Sequence, residues 1–274
     1  MMTPPAPLRV FPLSRRRREG DRPCGPAKPV PRDDWVSGTR SGHGICTLPL
    51  AGLAFALLAG CTGRDMGNEW FPLREGDEQT LAVRYELDEA REPEQWTLRV
   101  QAPTVFQDQP VAVRRHSAGV RYWLKVDEQG VRRVATQTDI DDEPTADAEP
   151  VWVLKAPYAV GTEWTTVTVP YLIERRNEYP RELRLTHKAQ MTWRIEAVDD
   201  AVKLANGREH RPCLRVVGQA RLNLYTDPVN GFSDVPLISR EWYCKGTGLV
   251  KFEREEKVPR GFLIGGTLSA TLER

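Results

Sequence analysis

The clearest folding signal in this chain is the stretch Leu214-Arg215-Val216-Val217-Gly218-Gln219-Ala220-Arg221-Leu222-Asn223-Leu224. Every second residue from Leu214 to Leu224 is apolar or small, and most residues between them are polar. This period of two is typical of a β-strand with one buried and one exposed face, because successive side chains of a strand point to opposite sides of the sheet. The stretch therefore predicts a half-buried strand.

The same alternation recurs from about residue 79 onward, in Trp96–Val100, Val120–Val126, Met191–Ala197 and Leu268–Leu272. Turn sequences separate these runs: Ser117-Ala118-Gly119, Asp127-Glu128-Gln129-Gly130 and Asn206-Gly207, of which the last is a strong hairpin signal. We therefore predict a mainly β fold, a meander that forms a curved antiparallel sheet or half-barrel around a core or a cavity. Residues 175–185 are left open between helix and strand.

Two segments share a pattern that suggests a common way of starting a strand. Pro72 and Pro157 each lie beside an apolar residue, and each is followed four positions later by a glycine, Gly76 or Gly161. Proline restricts the approach of the chain and glycine permits a tight turn. The two segments are interpreted as equivalent starts of the two halves of the domain, with chance similarity as the alternative.

A short apolar segment, Ile45–Gly60, ends directly before Cys61. It is shorter than the roughly 20 apolar residues that span a bilayer, but it has the length and the small-residue ending of a signal-peptide core. Leu58, Ala59, Gly60 and Cys61 resemble the lipobox of bacterial lipoproteins. The resemblance implies that the Cys61 thiol is diacylglycerated, that the signal is cut before it and that the new amine is acylated.

Two alternatives to a signal peptide are an ordinary buried helix and a permanent membrane span. Pro49 interrupts the segment, which argues against the helix. The length argues against the span. Thr62 stands where an Asp would signal retention in the inner membrane of the lipoproteins that this segment resembles. The resemblance therefore implies an outer-membrane lipoprotein, and we expect its domain to face the periplasm.

The lipobox divides the chain into a signal peptide at 36–60, a tether at 61–69 and an antiparallel β-domain at 70–274. Residues 1–35 hold Arg15–Arg18 and eight prolines, without apolar periodicity, so they are predicted to be disordered or to precede the true start. A start at Val36 would leave a signal of ordinary design, with Arg40 as its positive region.

The predicted mature chain, residues 61–274, contains 30 basic and 34 acidic residues, a net charge of −4. This balance does not favour a nucleic-acid partner.

Two cysteines, Cys213 and Cys244, lie in predicted strands, and an exported location permits a disulfide between them. The sequence leaves open whether they are bridged or are two separate small apolar residues.

Residue patterns for catalysis or metal binding are weak. The acidic run Asp139–Glu143, with Asp147 and Glu149, lacks the ligand spacing and glycine of an EF-hand, so a solvated loop is favoured over a calcium site. The pairs His187 with Glu182 and His210 with Glu209 lack any nucleophile motif nearby. We therefore expect no enzymatic activity, no catalytic residue, no metal and no cofactor.

Taken together, four segments are similar to a group of secreted bacterial β-domains labelled TapB-like: 71–76, 156–164, 197–217 and 241–251. The last segment keeps the group's glycines, Gly246 and Gly248, and its apolar-lysine strand at Lys251. The sequence departs from the group at Gln79, where an aromatic residue is common, and at Cys244, where a small residue is usual. The resemblance implies a curved antiparallel sheet and assigns no activity.

Two functions remain open. The first is a non-catalytic binding or carrier module of the envelope, whose concave face would hold an acyl chain, a glycan or a peptide. It is motivated by the large alternating residues Trp96, Leu98, Tyr122, Leu124 and Trp193. Trp123 on the polar face is a candidate for lining a groove, but packing under a loop or against a neighbouring strand is favoured for it. The second is a structural or assembly lipoprotein that pairs with another envelope protein. A hydrolase is a distant third and would need a pocket that joins His187 or His210 to a carboxylate and a hydroxyl.

Overall fold

The structure is a computed structural model, and it describes residues 65–87, 91–175, 187–229, 231–258 and 262–273. Residues 1–35, the signal peptide, the lipobox Leu58–Cys61 and most of the segment 175–185 lie outside the described residues. The described part forms the strands β1 (Glu78–Leu87), β2 (Glu94–Phe106), β3 (Gln109–His116), β4 (Val120–Asp127), β5 (Gly130–Thr138), β6 (Thr145–Lys155), β7 (Glu163–Thr168), β8 (Glu174–Arg175), β9 (Ala189–Lys203), β10 (Glu209–Asp227), β11 (Gly231–Cys244), β12 (Gly248–Glu256), β13 (Leu263–Ile264) and β14 (Gly266–Leu272).

Twelve of these strands form one antiparallel sheet in the order β6-β5-β4-β3-β2-β1-β14-β12-β11-β10-β9-β7. Strand β14 pairs with β1 on one side and with β12 on the other, so it connects the two halves of the sheet. The edge strands β6 and β7 approach each other, and the sheet is nearly closed into a barrel. The predicted mainly β, antiparallel fold is confirmed, with stronger curvature than a half-barrel.

The period of two determines which residues each strand buries. In β10, Leu214, Val216, Ala220, Leu222 and Leu224 are buried inside the sheet, while Gln219, Arg221 and Asn223 between them are exposed.

Within the described ranges, no helix has the length and apolarity needed to cross a membrane.

The inside of the barrel is occupied by side chains. The five large residues that motivated the carrier hypothesis, Trp96, Leu98, Tyr122, Leu124 and Trp193, are all buried in two hydrophobic clusters. An acyl chain bound to the concave face would therefore have to displace core side chains.

A short segment that follows β7 also fills the interior. The backbone N–H groups of Tyr171, Leu172 and Ile173 donate to the Glu256 carboxylate at 3.0, 2.8 and 3.2 Å. Glu256 also accepts a hydrogen bond from Arg254 at 2.7 Å. A single buried carboxylate thus holds the segment against strand β12.

The turns agree with the sequence patterns. Gly76 and Gly161 have φ values of 87° and 93°, and they precede β1 and β7 at equivalent points. Asn206-Gly207 forms the hairpin between β9 and β10. Trp123 is buried with Val111, Val113 and Ala135 on the other face of the sheet. It therefore packs against neighbouring strands, the favoured of its two predicted environments, and it does not line a groove.

Candidate functional site

The two cysteines of the β-domain face each other across neighbouring strands. Cys213 on β10 pairs in register with Cys244 on β11, and a disulfide bond joins them. Both residues are buried. Of the two arrangements that the sequence left open, the structure contains the bridge.

The acidic run does not form a metal site. Asp139 pairs with Arg115 at 3.1 Å, and Asp141 accepts hydrogen bonds from Thr138. Asp147 pairs with the buried Arg133 at 2.7 Å. In the part of the chain that the structure describes, no group of three or more His, Cys, Asp or Glu residues is placed to hold a metal ion.

The three histidines of the described residues lie in separate places. His116 is buried beside Trp96, and its Nδ1 accepts a hydrogen bond from the Ala118 N–H at 2.9 Å. His187 is described, but its suggested partner Glu182 lies outside the described residues. His210 faces Thr247, with 3.3 Å between Nδ1 and Oγ1, rather than forming a pair with Glu209.

Three arginines are buried in this sheet, and they differ in how their charge is balanced. Arg133 pairs with Asp147 and Arg254 pairs with Glu256, each at 2.7 Å. Arg114, on the inner face of β3, forms no ion pair with a carboxylate of the described residues, and its Nε atom is buried without a hydrogen-bond partner. Only 8% of Arg114 is exposed. A buried cation without such a bond is costly, so Arg114 marks a candidate site.

The surroundings of Arg114 are aromatic and polar. Its guanidinium carbon lies 4.6 Å from the centre of the Phe71 ring, a cation–π contact. Burial is the main effect on its pKa and lowers it from the usual value, while Tyr243, Tyr122 and Glu241 act in the opposite direction. Glu241 accepts a hydrogen bond from the Tyr243 hydroxyl at 2.6 Å. The Glu241 charge therefore balances Arg114 through space, without an ion-pair contact.

Arg114 lines a cleft of about 250 Å³ at one rim of the barrel. Leu98, Val100 and Leu272 form apolar parts of its wall, and Gln79, Thr247 and His210 form polar parts. The buried Nε2 atom of His210 also has no hydrogen-bond partner among the described residues. Burial, followed by the charge of Arg208, lowers the His210 pKa, so the ring is neutral at neutral pH. Two residues that each have a buried nitrogen atom without a partner among the described residues thus line one cleft.

Charged side chains of both signs surround the cleft. Asp77, Glu78 and Arg208 line it and are exposed to solvent. The composition of the cleft meets the condition stated for a hydrolase, since it joins His210 to a hydroxyl and to carboxylates. Its geometry does not, because a catalytic carboxylate must orient the second histidine nitrogen, and His210 Nε2 has no such bond among the described residues.

The beginning of the described chain runs beside this cleft. The backbone N–H of Gly246 donates to the Glu69 carbonyl at 2.6 Å, and Lys245 pairs with Glu69 at 2.8 Å. The Asn68 side chain donates to the Tyr158 hydroxyl at 2.7 Å. Residues 65–69, the described part of the predicted tether, are thus attached to the β-domain next to the cleft-lining residues Pro72 and Gly246.

A second and larger cleft, of about 670 Å³, lies between the β9–β10 hairpin and the sheet. Two of its charged residues have protein partners: Asp200 accepts hydrogen bonds from Trp242 at 3.0 Å and from Arg215 at 3.3 Å. Lys251 lies 4.7 Å from the Trp242 ring centre and pairs with Glu253. Since Arg114 is buried and forms no ion pair among the described residues, the Arg114 cleft is the better candidate site.

Comparison with known proteins identifies no relative by sequence. No family model and no curated protein matches this chain. One similar solved structure is a lipoprotein, assigned by inference, from Parabacteroides distasonis ATCC 8503: it is 11% identical, its TM-score is 0.36, and the match covers 76% of this chain and 99% of that chain. Another is an exported protein with a YmcC-like fold, also assigned by inference, from Bacteroides fragilis NCTC 9343: it is 15% identical, its TM-score is 0.34, and the match covers 74% of this chain and 97% of that chain. TM-scores this low support no argument about function.

Proposed function

We propose that this chain is a lipid-anchored protein of the bacterial envelope whose β-domain is a non-catalytic binding module, with the Arg114 cleft as its ligand site. The observation that carries the proposal is the buried Arg114 guanidinium, which faces a cleft and has no carboxylate partner of its own. The cleft combines apolar wall residues with polar and charged ones, and in small-molecule sites a small number of well-placed polar groups fix the orientation of the ligand. The lipobox at Leu58–Cys61 supports the envelope location.

The position of the cleft agrees with this combination. Asp65 is four residues after Cys61, and four extended residues reach about 14 Å at most. If Cys61 carries acyl chains, the cleft beside Pro72 and Gly246 lies close to the membrane surface. A ligand that reaches the protein from the membrane would meet this end of the barrel first.

The proposal is tested by native mass spectrometry of the full-length protein extracted gently from its own membranes. We expect a fraction of the protein to carry additional mass, and we expect Thr247→Trp, which fills the cleft from its wall, to remove it. Thr145→Trp, at an exposed position on β6 outside the cleft, is the matched control and should keep the ligand. Protein that carries no ligand, or a ligand that Thr247→Trp retains, contradicts the proposal.

A second candidate, assembly with another envelope protein, is favoured by the tip of the β10–β11 hairpin. Tyr225, Val229 and Phe232 are exposed there, with Phe262 alongside, and exposed apolar clusters often mark protein interfaces. The tip lies about 12 residues along β10 from Cys213, or roughly 40 Å from the end that holds Glu69. It therefore points away from the proposed anchor, and its occupant would be a protein rather than the anchoring membrane.

This second candidate is tested with a photocrosslinking amino acid at Phe232 in living cells. A single crosslinked protein, absent when the same amino acid replaces the exposed Ile140, is expected if the tip is an interface. Equal crosslinking at the two positions, or none at Phe232, would exclude the assembly role.

A further inference from the structure

The chemical class of the ligand follows from the donors in the cleft, and this inference rests on the proposed function. We propose that the cleft binds a phosphate group, and that the Arg114 guanidinium is its main contact. Arginine presents five N–H donors in a planar fork that matches two oxygens of such a group.

The first argument is the comparison with the other buried arginines. Arg133 and Arg254 each have a protein carboxylate at 2.7 Å. Arg114 contacts the Phe71 ring, and its Nε atom has no acceptor in the described part of the chain. An oxyanion in the cleft would supply the acceptor that Asp147 and Glu256 supply elsewhere.

The second argument concerns Glu241, which could have filled this role. Its carboxylate accepts the Tyr243 hydroxyl at 2.6 Å and acts on Arg114 only through space. It also acts on Arg254, whose pKa is raised in part by Glu241 although burial opposes the rise. Glu241 therefore balances charge between two arginines, and the cleft side of Arg114 stays available.

The third argument is a second donor in the same cleft. If the Thr247 hydroxyl donates to His210 Nδ1, which lies 3.3 Å away, the proton of the neutral ring is on Nε2. That atom is buried and has no partner among the described residues, and His210 lines the cleft. Arg114 and His210 would then both donate to one bound group.

The exposed carboxylates limit the rest of the ligand. Asp77 and Glu78 line the exposed part of the cleft, where Arg208 is the one exposed cation among the lining residues. Once Arg114 is paired with an oxyanion, a ligand with further negative charge would be repelled. A zwitterion, with its oxyanion at Arg114 and an ammonium group near Asp77 and Glu78, fits both charges. At about 250 Å³, the cleft is smaller than sites for drug-sized molecules and suits a group the size of phosphoethanolamine, free or as a lipid headgroup.

The test is a titration of the full-length, detergent-extracted protein, followed by NMR of the Leu98, Val100 and Leu272 methyl groups, which line the cleft. The probes are O-phosphoethanolamine, inorganic phosphate, ethanolamine without phosphate, and dihexanoyl phosphatidylethanolamine below its micelle concentration. We expect both phosphate esters to shift these methyl signals in a saturable way and ethanolamine to leave them unchanged. Saturation by the lipid alone would assign the site to a headgroup, whereas saturation by both esters would show that the free group is enough.

The variants separate recognition from folding. Arg114→Lys keeps the charge beside Glu241 but loses the planar fork, and should weaken binding at least about tenfold. Arg211→Lys, an exposed arginine paired with Asp199 at 2.8 Å and absent from the cleft, should bind as the unmodified protein does. The charge-neutral pair Arg114→Met with Glu241→Gln should fold and lose binding completely.

Three results would overturn the inference: equal binding of ethanolamine, unchanged binding by Arg114→Lys, or no methyl shift with any phosphate probe. A neutral ligand found in the cleft by native mass spectrometry would overturn the inference and leave the proposed function standing. Protein without any ligand in that experiment would overturn both.

Discussion

Gly218 on β10 lies directly opposite Trp193 on β9, and the absence of a side chain at Gly218 makes room for the indole ring. A Cβ atom at position 218 would lie 2.5 Å from Cζ3 of Trp193, closer than any real contact. The indole in turn stacks on Trp164, with 6.4 Å between ring centres, and donates to the Thr166 hydroxyl at 2.8 Å. The glycine thus fixes the packing of β7, β9 and β10.

Gly218→Ala is expected to lower the free energy of unfolding by about 1–3 kcal/mol, because the ring must move out of a packed core. Urea denaturation followed by tryptophan fluorescence measures the change. Gln219→Ala, at the exposed neighbouring position, should change the stability by less than about 0.5 kcal/mol. Trp193→Phe should recover part of the loss when it is combined with Gly218→Ala, and a Gly218→Ala protein of unchanged stability would contradict the assignment.

Removal of the Cys213–Cys244 bridge is expected to lower the free energy of unfolding by on the order of 3 kcal/mol, because the bond closes a long loop in the unfolded chain. The double variant Cys213→Ala with Cys244→Ala is compared with the unmodified protein in urea, with and without a reducing agent. The reductant should weaken only the unmodified protein. Identical urea midpoints for the two proteins would mean that the bond does not stabilise the fold.

His116 should make the stability of the domain depend on pH. Burial, with a smaller contribution from the Arg114 charge, lowers its pKa from 6.5 to about 4. Between these values the unfolded chain binds the proton and the folded chain does not, so stability is fully present above pH 6.5 and is lost as the pH falls toward 4. The total loss is on the order of 3 kcal/mol.

Urea midpoints measured at steps from pH 7 to pH 4 test this expectation. His116→Asn, which keeps an acceptor for the Ala118 N–H but does not titrate, should have a flatter profile than the unmodified protein over this range. Equal slopes for the two proteins would show that another group is responsible for the acid sensitivity.

Glu256→Gln is expected to cost about 3–5 kcal/mol, because it leaves the buried Arg254 without its carboxylate partner and weakens the hold on Tyr171–Ile173. Hydrogen exchange at residues 171–173 should accelerate together with the loss of stability. Glu255→Gln removes the same charge from the neighbouring, partly exposed position, where the partners are Arg240 and Lys257, and should cost less than about 1 kcal/mol. Similar effects of the two variants would contradict a special role for the buried pair.

Cys61→Ala is expected to abolish processing and membrane attachment. Intact mass measurement of the unmodified protein should give a chain that begins at an acylated Cys61, and the variant should lack both the cleavage and the acyl mass. An unprocessed, unacylated chain in the unmodified protein would refute the lipoprotein interpretation.

Local patterns in the sequence predict the strands well, because a half-buried strand needs alternating residues whatever it pairs with. Strand β10 and the Asn206-Gly207 hairpin follow directly from this rule. The same rule fails at Trp123, because β4 is buried on both faces near Val113 and Ala135. The insertion of β14 between β1 and β12 has no local signal, since it joins segments far apart in the chain.

The candidate site was missed for a related reason. Arg114 and Arg115 are adjacent on β3, where Val111 to Arg114 are all buried, so alternation does not say which arginine points inward. The usable signal was the register with β4, which places Arg114 beside the buried Tyr122 and Arg115 beside Arg121. Predicting that register requires the length of the β3–β4 turn in addition to the residue patterns of the two strands.

The place of β14 in the sheet determines the order in which this protein can mature. Strands β1–β6 and β9–β12 each pair with strands that are neighbours in the chain, but the two groups are joined through residues 266–272, which follow the other described strands. A ribosome or an export channel delivers the polypeptide from its amino end, so the two halves of the sheet cannot be joined, and the edges of β1 and β12 cannot be covered by β14, until these residues emerge. The molecule is therefore most exposed to proteases and to aggregation in that interval, and an envelope chaperone that protects β1 and β12 would be needed only then.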